Sequence, residues 1–179
     1  EELQEKLNCL YPANTRTKQA ILFTILTASR VGESVPARWD EIDWENRIWS
    51  VPPERRKDQK PYPHRVPLSD QAIELLKSIE KKGDHIFGVS EESLGSRYTL
   101  TKLLKRLTGT TATMHGFRST FRDWAAENAV PDIVAEKCLM HTTGNAVVQA
   151  YQRSDLLEQR REVMQQWADA VFSGVSSAA

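Results

Sequence analysis

Apolar residues recur at helical spacing through most of this chain, with one interval in its first third where they alternate instead. Residues 16–29 place Ile21, Leu22, Ile25, Leu26 and Ser29 at that spacing, which predicts a helix running into Arg30 and broken near Gly32. A short helical piece follows around Glu33 to Arg38. The stretch Glu41-Ile42-Asp43-Trp44 alternates, Glu45-Asn46-Arg47 reads as a turn, and Ile48-Trp49-Ser50-Val51 alternates again, so a hairpin is predicted. After a basic, proline-containing loop, Arg65-Val66-Pro67-Leu68 reads as a third strand whose proline favours a sheet edge. From Ser69 onward the pattern is helical. Helices are predicted over 70–81 on Ile73, Leu76 and Ile79, over 99–107 on the full stripe Leu100, Leu103, Leu104 and Leu107, and over 117–128 on Phe117, Phe121, Trp124 and Ala125. Pro131 suits the first turn of the next helix, which ends around Met140. The last long helix is predicted to begin at Ser154 or Asp155, with Asp155 and Glu158 as a capping pair. Leu156, Val163, Met164, Trp167 and Val171 form its apolar face, and the pattern leaves open whether that face covers its own chain or a neighbouring copy. The fold class is therefore α+β and mainly α-helical, with a small antiparallel three-stranded sheet, as one domain over residues 1–172. Residues 173–179 read as a flexible small-residue tail.

Composition agrees with a globule that has a real core: 179 residues, 40% hydrophobic and 27% charged. The longest largely apolar stretch, Ala20 to Ala28, is well short of the roughly 20 residues that a bilayer-crossing helix needs, so no membrane partner is expected. The start at Glu1-Glu2 carries no secretory signal and reads as a cut inside a longer protein. Two cysteines, Cys9 and Cys138, are too few for a disulfide framework and suit a reducing cytoplasm.

The net charge is zero, from 24 basic and 24 acidic groups, which by itself argues against a polyanionic partner. The distribution changes that picture. Residues 47–65 carry 6 basic and 2 acidic groups and residues 97–122 carry 6 and 0, while the three flanking segments are acidic. A fold that brings both basic stretches to one surface would make a polyanion-binding face on a neutral protein; two solvated faces would read the same way.

Several chemistries lose their signatures. The four histidines show no His-Glu-x-x-His spacing, and Cys138-x-x-His141 supplies just two ligands, so no metal site is expected. Neither a glycine-rich phosphate loop nor a Gly-x-Ser-x-Gly elbow occurs. What remains is a set of polar groups beside element boundaries. Arg30 follows a buried helix in Thr27-Ala28-Ser29-Arg30-Val31-Gly32-Glu33, where a cation also suits the helix dipole. His115 and Arg118, three apart, can point to one side of a helix start; a capping histidine and a surface arginine would look identical. Lys57 lies in the loop between the second and third strands, by default solvated. His141 follows a helix, and Tyr151 comes ten residues later, where a lone tyrosine is most often a core residue. No one of these positions decides anything singly.

Taken in order, Ser29-Arg30-Val31-Gly32-Glu33, a hairpin lysine, His115-x-x-Arg118, Leu139-Met140-His141 and Tyr151 resemble the catalytic domain of tyrosine recombinases. The likeness is strongest to prophage-type integrases, including Ala37-Arg38-Trp39-Asp40-Glu41-Ile42-Asp43 and His64-Arg65-Val66-Pro67-Leu68-Ser69, and it runs from about Leu7 to Phe172. The resemblance implies that the Tyr151 hydroxyl attacks a DNA phosphodiester, giving a 3′-phosphotyrosyl link and a free 5′-hydroxyl. It implies that Arg30 and Arg118 hold the nonbridging oxygens, His115 accepts the phenolic proton, Lys57 is the general acid, His141 orients the phosphate and Glu33 buttresses the group. The loop is longer than usual, which makes Lys60 a rival for the role of Lys57. Neither a cofactor nor a divalent metal is implied. Lys102, Lys105 and Arg106, with Arg55, Arg56, Lys60 and Arg122, are expected to contact DNA. Ala28 stands where the family commonly has glycine; a small residue is kept, and activity is expected to survive. The implied partners are double-stranded DNA at attachment sites and accessory DNA-bending proteins, in a bacterial cytoplasm at the nucleoid. The full-length protein would act as a tetramer on two duplexes, and this domain alone is expected as a monomer. DNA relaxation resembling type IB topoisomerases, or a DNA-binding regulator without catalysis, are the alternatives; the six retained positions count against the second.

Overall fold

The computed structural model describes residues 10, 12–88, 97–109, 111–141 and 154–173. Helix α1 (Arg16–Leu26) is the central element: every residue from Gln19 to Leu26 is buried. The Thr15 side chain accepts the Lys18 N–H and caps its first turn. A four-residue helix, α2 (Val31–Ser34), follows at once, tied to α1 by the Thr24 and Ser34 hydroxyls at 2.6 Å.

The predicted hairpin is present as β1 (Ile42–Asp43) and β2 (Ile48–Val51), with β3 (His64–Pro67) on the far side of β2. All pairs are antiparallel in the order β1-β2-β3, so Pro67 sits on an edge strand, where its missing N–H costs no ladder bond. Ile48 faces Pro67 and Val51 faces His64. Trp49 and Val51 are fully buried on the sheet, and the Phe23 ring of α1 meets Trp49 edge-on at 5.1 Å.

The remaining helices are α3 (Asp70–Lys77), α4 (Arg97–Thr108), α5 (Gly116–Glu127), α6 (Asp132–Cys138) and α7 (Leu157–Phe172). One continuous core runs through them, from Leu10 to Val171. Leu100 and Leu104 of α4 are fully buried. The question left open for the final helix has an answer here: α7 folds back onto its own chain, against α1, α3, α6 and β3. Trp167 is 1% exposed, meets Phe121 edge-on at 5.4 Å and Trp124 at a tilt at 5.3 Å, and donates its indole N–H to the Ile25 carbonyl at 2.8 Å.

Three boundaries differ from the sequence reading. Helix α1 stops at Leu26 rather than reaching Arg30, and Gly32, expected as the breaker, lies inside α2. The helix expected to reach residue 81 ends at Lys77. Helix α7 begins at Leu157 without the expected capping pair, because Asp155 is bonded to Arg65 of β3 and Glu158 to Arg161. The tail beyond residue 173 and the nucleophile candidate Tyr151 lie outside the described residues.

Three helices end in the same way. After α1 the Ser29 N–H reaches back to the Thr24 carbonyl, after α5 the Val130 N–H to Ala125, and after α6 the His141 N–H to Glu136. The residue before each donor, Ala28, Ala129 and Met140 respectively, is left-handed, with φ of 47°, 55° and 53°. This is the Schellman arrangement, normally closed by glycine. Ala129 is exposed, in the turn between α5 and α6, and belongs to none of the expected site positions. Ala129→Gly removes the steric cost of that conformation and gives back part of it as unfolded-state entropy. The expected net gain is about 0.5–1 kcal/mol, read as a melting temperature about 1–4 °C higher in thermal denaturation.

Candidate active site

Two of those helix ends deliver site residues. The turn at Ala28 ends α1 and brings Arg30 out in extended conformation at the start of α2. There Glu33 binds it twice, taking the Arg30 backbone N–H on Oε2 and its Nη1 on Oε1, both at 2.9 Å. Glu33 is 2% exposed, so this carboxylate is a fixed anchor for a guanidinium that still reaches solvent. The left-handed φ of Ala28 gives the physical reason for a glycine preference at that position, and alanine is accommodated in it.

The turn at Met140 ends α6 and presents His141. Arg118, one turn into α5, lies beneath. It is 4% exposed and donates to the Ala28 carbonyl, to the Leu139 carbonyl and, at 3.1 Å, to His141 Nε2. Both Schellman turns thus supply a carbonyl to the same guanidinium. Among the described residues its hydrogen bonds all go to neutral acceptors, and its buried Nε has no partner. Burial, reinforced by the nearby charge of Arg30, brings the Arg118 pKa down to about 10, against the pull of Glu33 and Glu136.

His141 Nδ1 lies 2.8 Å from Glu136 Oε2. Burial holds the imidazole below the ordinary histidine range; the hydrogen bond to Glu136 opposes that, and the charge of Arg118 adds to it. Arg30, Lys57, Asp58, Glu136, Met140 and His141 line an open cleft of about 370 Å³, and Arg118 lies behind it, in contact with His141.

Of the expected catalytic set, then, the fold gathers Arg30, Arg118, His141 and Lys57. His115 is exposed at the start of α5, three residues before Arg118, and does not line the cleft. It is not a side-chain cap: Thr113 Oγ1 accepts the Gly116 N–H at 3.0 Å instead. Of the two candidate lysines, Lys57 lines the cleft and Lys60 does not.

The expected DNA-contacting set needs correction. Arg56 is 7% exposed and clamps the β2–β3 loop, with Nε and Nη2 on the two oxygens of Asp58 at 2.8 and 2.6 Å and Nη1 on the Tyr62 carbonyl. Arg55 is ion-paired with Glu41 under little solvent exposure. Arg122 is shared between Asp132 and Glu136 at 3.1 and 3.0 Å. These three guanidiniums are engaged within the chain. Lys102, Lys105 and Arg106 are exposed on α4.

Three residues near the cleft were missed in the sequence. Glu136 sits five positions before His141, a spacing that only the Schellman turn folds into contact. Arg160 occupies the apolar stripe of α7, 1% exposed, and donates to the Arg65 carbonyl at 2.6 Å; its register with Val163, Met164 and Trp167 was the available signal. His64, on β3, faces Arg160 Nη2 at 3.2 Å, and burial with Arg160, Arg56, Arg118 and Arg30 around it pushes it well below the ordinary range, so it is neutral.

Comparison with known proteins adds to this geometry. The description of the Phage integrase family matches residues 1–158. The chain belongs to that family. It is 37% identical over 161 residues to the prophage integrase IntA of Escherichia coli (strain K12), covering 87% of this chain and 38% of that protein. With the integrase of Enterobacteria phage P4 it shares 31% over 183 residues, covering 89% and 41%. This phage integrase family chain therefore spans about two fifths of the length of these relatives. In fold it is similar to an integrase from mycobacterium phage Brujita, with a TM-score of 0.70, 17% identity and coverage of 97% and 62%. It is also similar to the XerA recombinase, with a TM-score of 0.60, 18% identity and coverage of 100% and 63%. The α+β, mainly helical class with a small three-stranded antiparallel sheet agrees with both. Among the described residues no helix is long and apolar enough to cross a membrane, and no group of three or more His, Cys, Asp or Glu could hold a metal ion.

Proposed function

We propose that this chain breaks and rejoins DNA strands through a 3′-phosphotyrosyl link on Tyr151, as the catalytic part of an integrase for a prophage or genomic island. The observation that carries the reading is Arg118. A buried guanidinium bonded to neutral acceptors favours an anion drawn up to it, since an uncompensated charge away from water is costly. Arg30 lines the cleft directly and Arg118 reaches its edge through His141, and two forked donors suit the nonbridging oxygens of a phosphodiester, whose charge rises in the pentacoordinate transition state.

In this mechanism the Tyr151 oxygen attacks phosphorus and the bond to the 5′-oxygen breaks. The phenolic proton passes to His115, and Lys57, which lines the cleft with Arg30 and His141, protonates the leaving oxygen. Storing the phosphodiester as a tyrosyl ester conserves the bond for rejoining. Cations at the phosphate come from side chains, so cleavage is expected to proceed in EDTA. The exposed Lys102, Lys105 and Arg106 on α4 add sequence-independent phosphate contacts, making duplex binding by this chain weak and salt-sensitive. Assembly as a tetramer at attachment sites, with accessory DNA-bending proteins, belongs to the same proposal.

The test uses a nicked suicide duplex in EDTA. A covalent protein–DNA adduct should form, and proteolysis should place the nucleotide on the peptide that contains Tyr151. Attachment at Tyr11, Tyr62 or Tyr98, or no adduct at all, overturns the assignment.

A further inference from the structure

His141 is held between Arg118 and Glu136, and the second of these has no role in the mechanism above. Arginine nitrogens only donate, so the 3.1 Å contact with Arg118 Nη2 makes His141 Nε2 an acceptor, and the ring proton sits on Nδ1, where Glu136 Oε2 receives it at 2.8 Å. The second Glu136 oxygen takes Arg122 Nε at 3.0 Å, and Arg122 Nη1 is 3.1 Å from Asp132. The Glu136 main-chain carbonyl also accepts the His141 N–H, at 2.9 Å. One residue thus fixes both the peptide and the ring of His141, and Arg122 of α5 fixes that residue.

With this polarity the ring offers a lone pair toward Arg118, whereas a phosphate oxygen needs a donor. We propose that Glu136, fastened by Arg122, is a positioning residue that lets His141 take a second proton when a phosphate enters the cleft, turning Nε2 from an acceptor for Arg118 into a donor to the anion. This deepens the function proposed above and rests on reading the cleft as a phosphate site. The proton comes from solvent: Nδ1–H stays on Glu136, the new Nε2–H goes to a phosphate oxygen, and the freed Arg118 Nη2–H turns to the same oxygen. The charges of Arg118, Arg30 and Lys57 disfavour the imidazolium, while those of Glu136 and Asp58 favour it; all but Arg118 line the cleft with His141, and Arg118 touches the ring itself. Burial also disfavours it, which keeps the ring neutral until the anion adds its charge.

Long-range proton–nitrogen NMR of the four histidines in the 179-residue chain, with His141→Asn for assignment, decides the matter. Wild-type His141 should be the Nδ1–H tautomer, and its titration midpoint should rise with inorganic phosphate. Glu136→Gln keeps the shape and loses the charge, so its midpoint should fall and the response to phosphate should shrink; Glu136→Asp should recover part of both. An Nε2–H tautomer in the wild type, or identical phosphate responses in wild type and Glu136→Gln, overturns the proposal. In adduct assays Glu136→Gln should lose about ten- to a hundredfold on the alkaline side, with the pH profile displaced toward acid; an equal loss at every pH would mark a packing role and count against it. The titration needs no DNA cleavage, so an absence of adducts would sink the recombinase reading while leaving this inference to the NMR result.

Discussion

On a nicked suicide duplex, Tyr151→Phe is expected to yield no covalent adduct while still retarding uncleaved DNA at low salt. The substitution removes one oxygen, and in the proposed mechanism that oxygen is the attacking atom. A water that took its place would release the strand and leave nothing attached to the protein. Loss of a covalent nucleophile ordinarily costs about 10⁴-fold or more, below detection in an adduct gel. Binding should survive because the arginines, Lys57 and the cations of α4 are untouched. An adduct formed by the phenylalanine variant would move the chemistry to another residue.

Arg118→Lys comes next in size, and it separates geometry from charge. The guanidinium spans Ala28, Leu139 and His141 at once from a buried position, and an ammonium cannot bridge that fork. Removing one preorganised donor from a developing oxyanion typically costs about 10²–10³-fold, and a loss of that size is expected in the rate of adduct formation. The environment makes a further demand. Burial beside Arg30 already lowers an arginine to about 10, and a lysine begins from a lower reference, so the same surroundings press it toward the neutral amine. The residual activity of the lysine variant should therefore fall as pH rises through the neutral range, under conditions where the wild type keeps Arg118 charged. A flat ratio of the two rates between about pH 6 and pH 9 would contradict this account of the pocket.

Much of this architecture was readable from periodicity alone. The alternation at 41–44 and 48–51 is the β1–β2 hairpin, and the leucine stripe of residues 100–107 is the inner face of α4. The errors share a cause. Helix α1 ends at a left-handed alanine, and an alanine does not announce a turn as glycine does, so the break was placed at Gly32. Glu136 escaped notice because residues five apart do not share a helical face; only the reversal at Met140 lays the ring of His141 over it. Arg55, Arg56 and Arg122 were read as free cations because their partners Glu41, Asp58 and Glu136 become partners through loop and helix packing. Arg160 stands in register with the apolar stripe of its helix, but a charged side chain in a face read from Leu156, Val163, Met164, Trp167 and Val171 gives no apolar signal.

The indole of Trp167, seated against the backbone of α1, carries a genetic consequence. A frameshift or stop codon between Tyr151 and Trp167 would spare every residue assigned to chemistry, yet it would strip the lid from the central helix and uncover Ile25 and Phe121 to water. Such alleles should score as null through degradation of the product, and catalytic residues alone would give no warning of it.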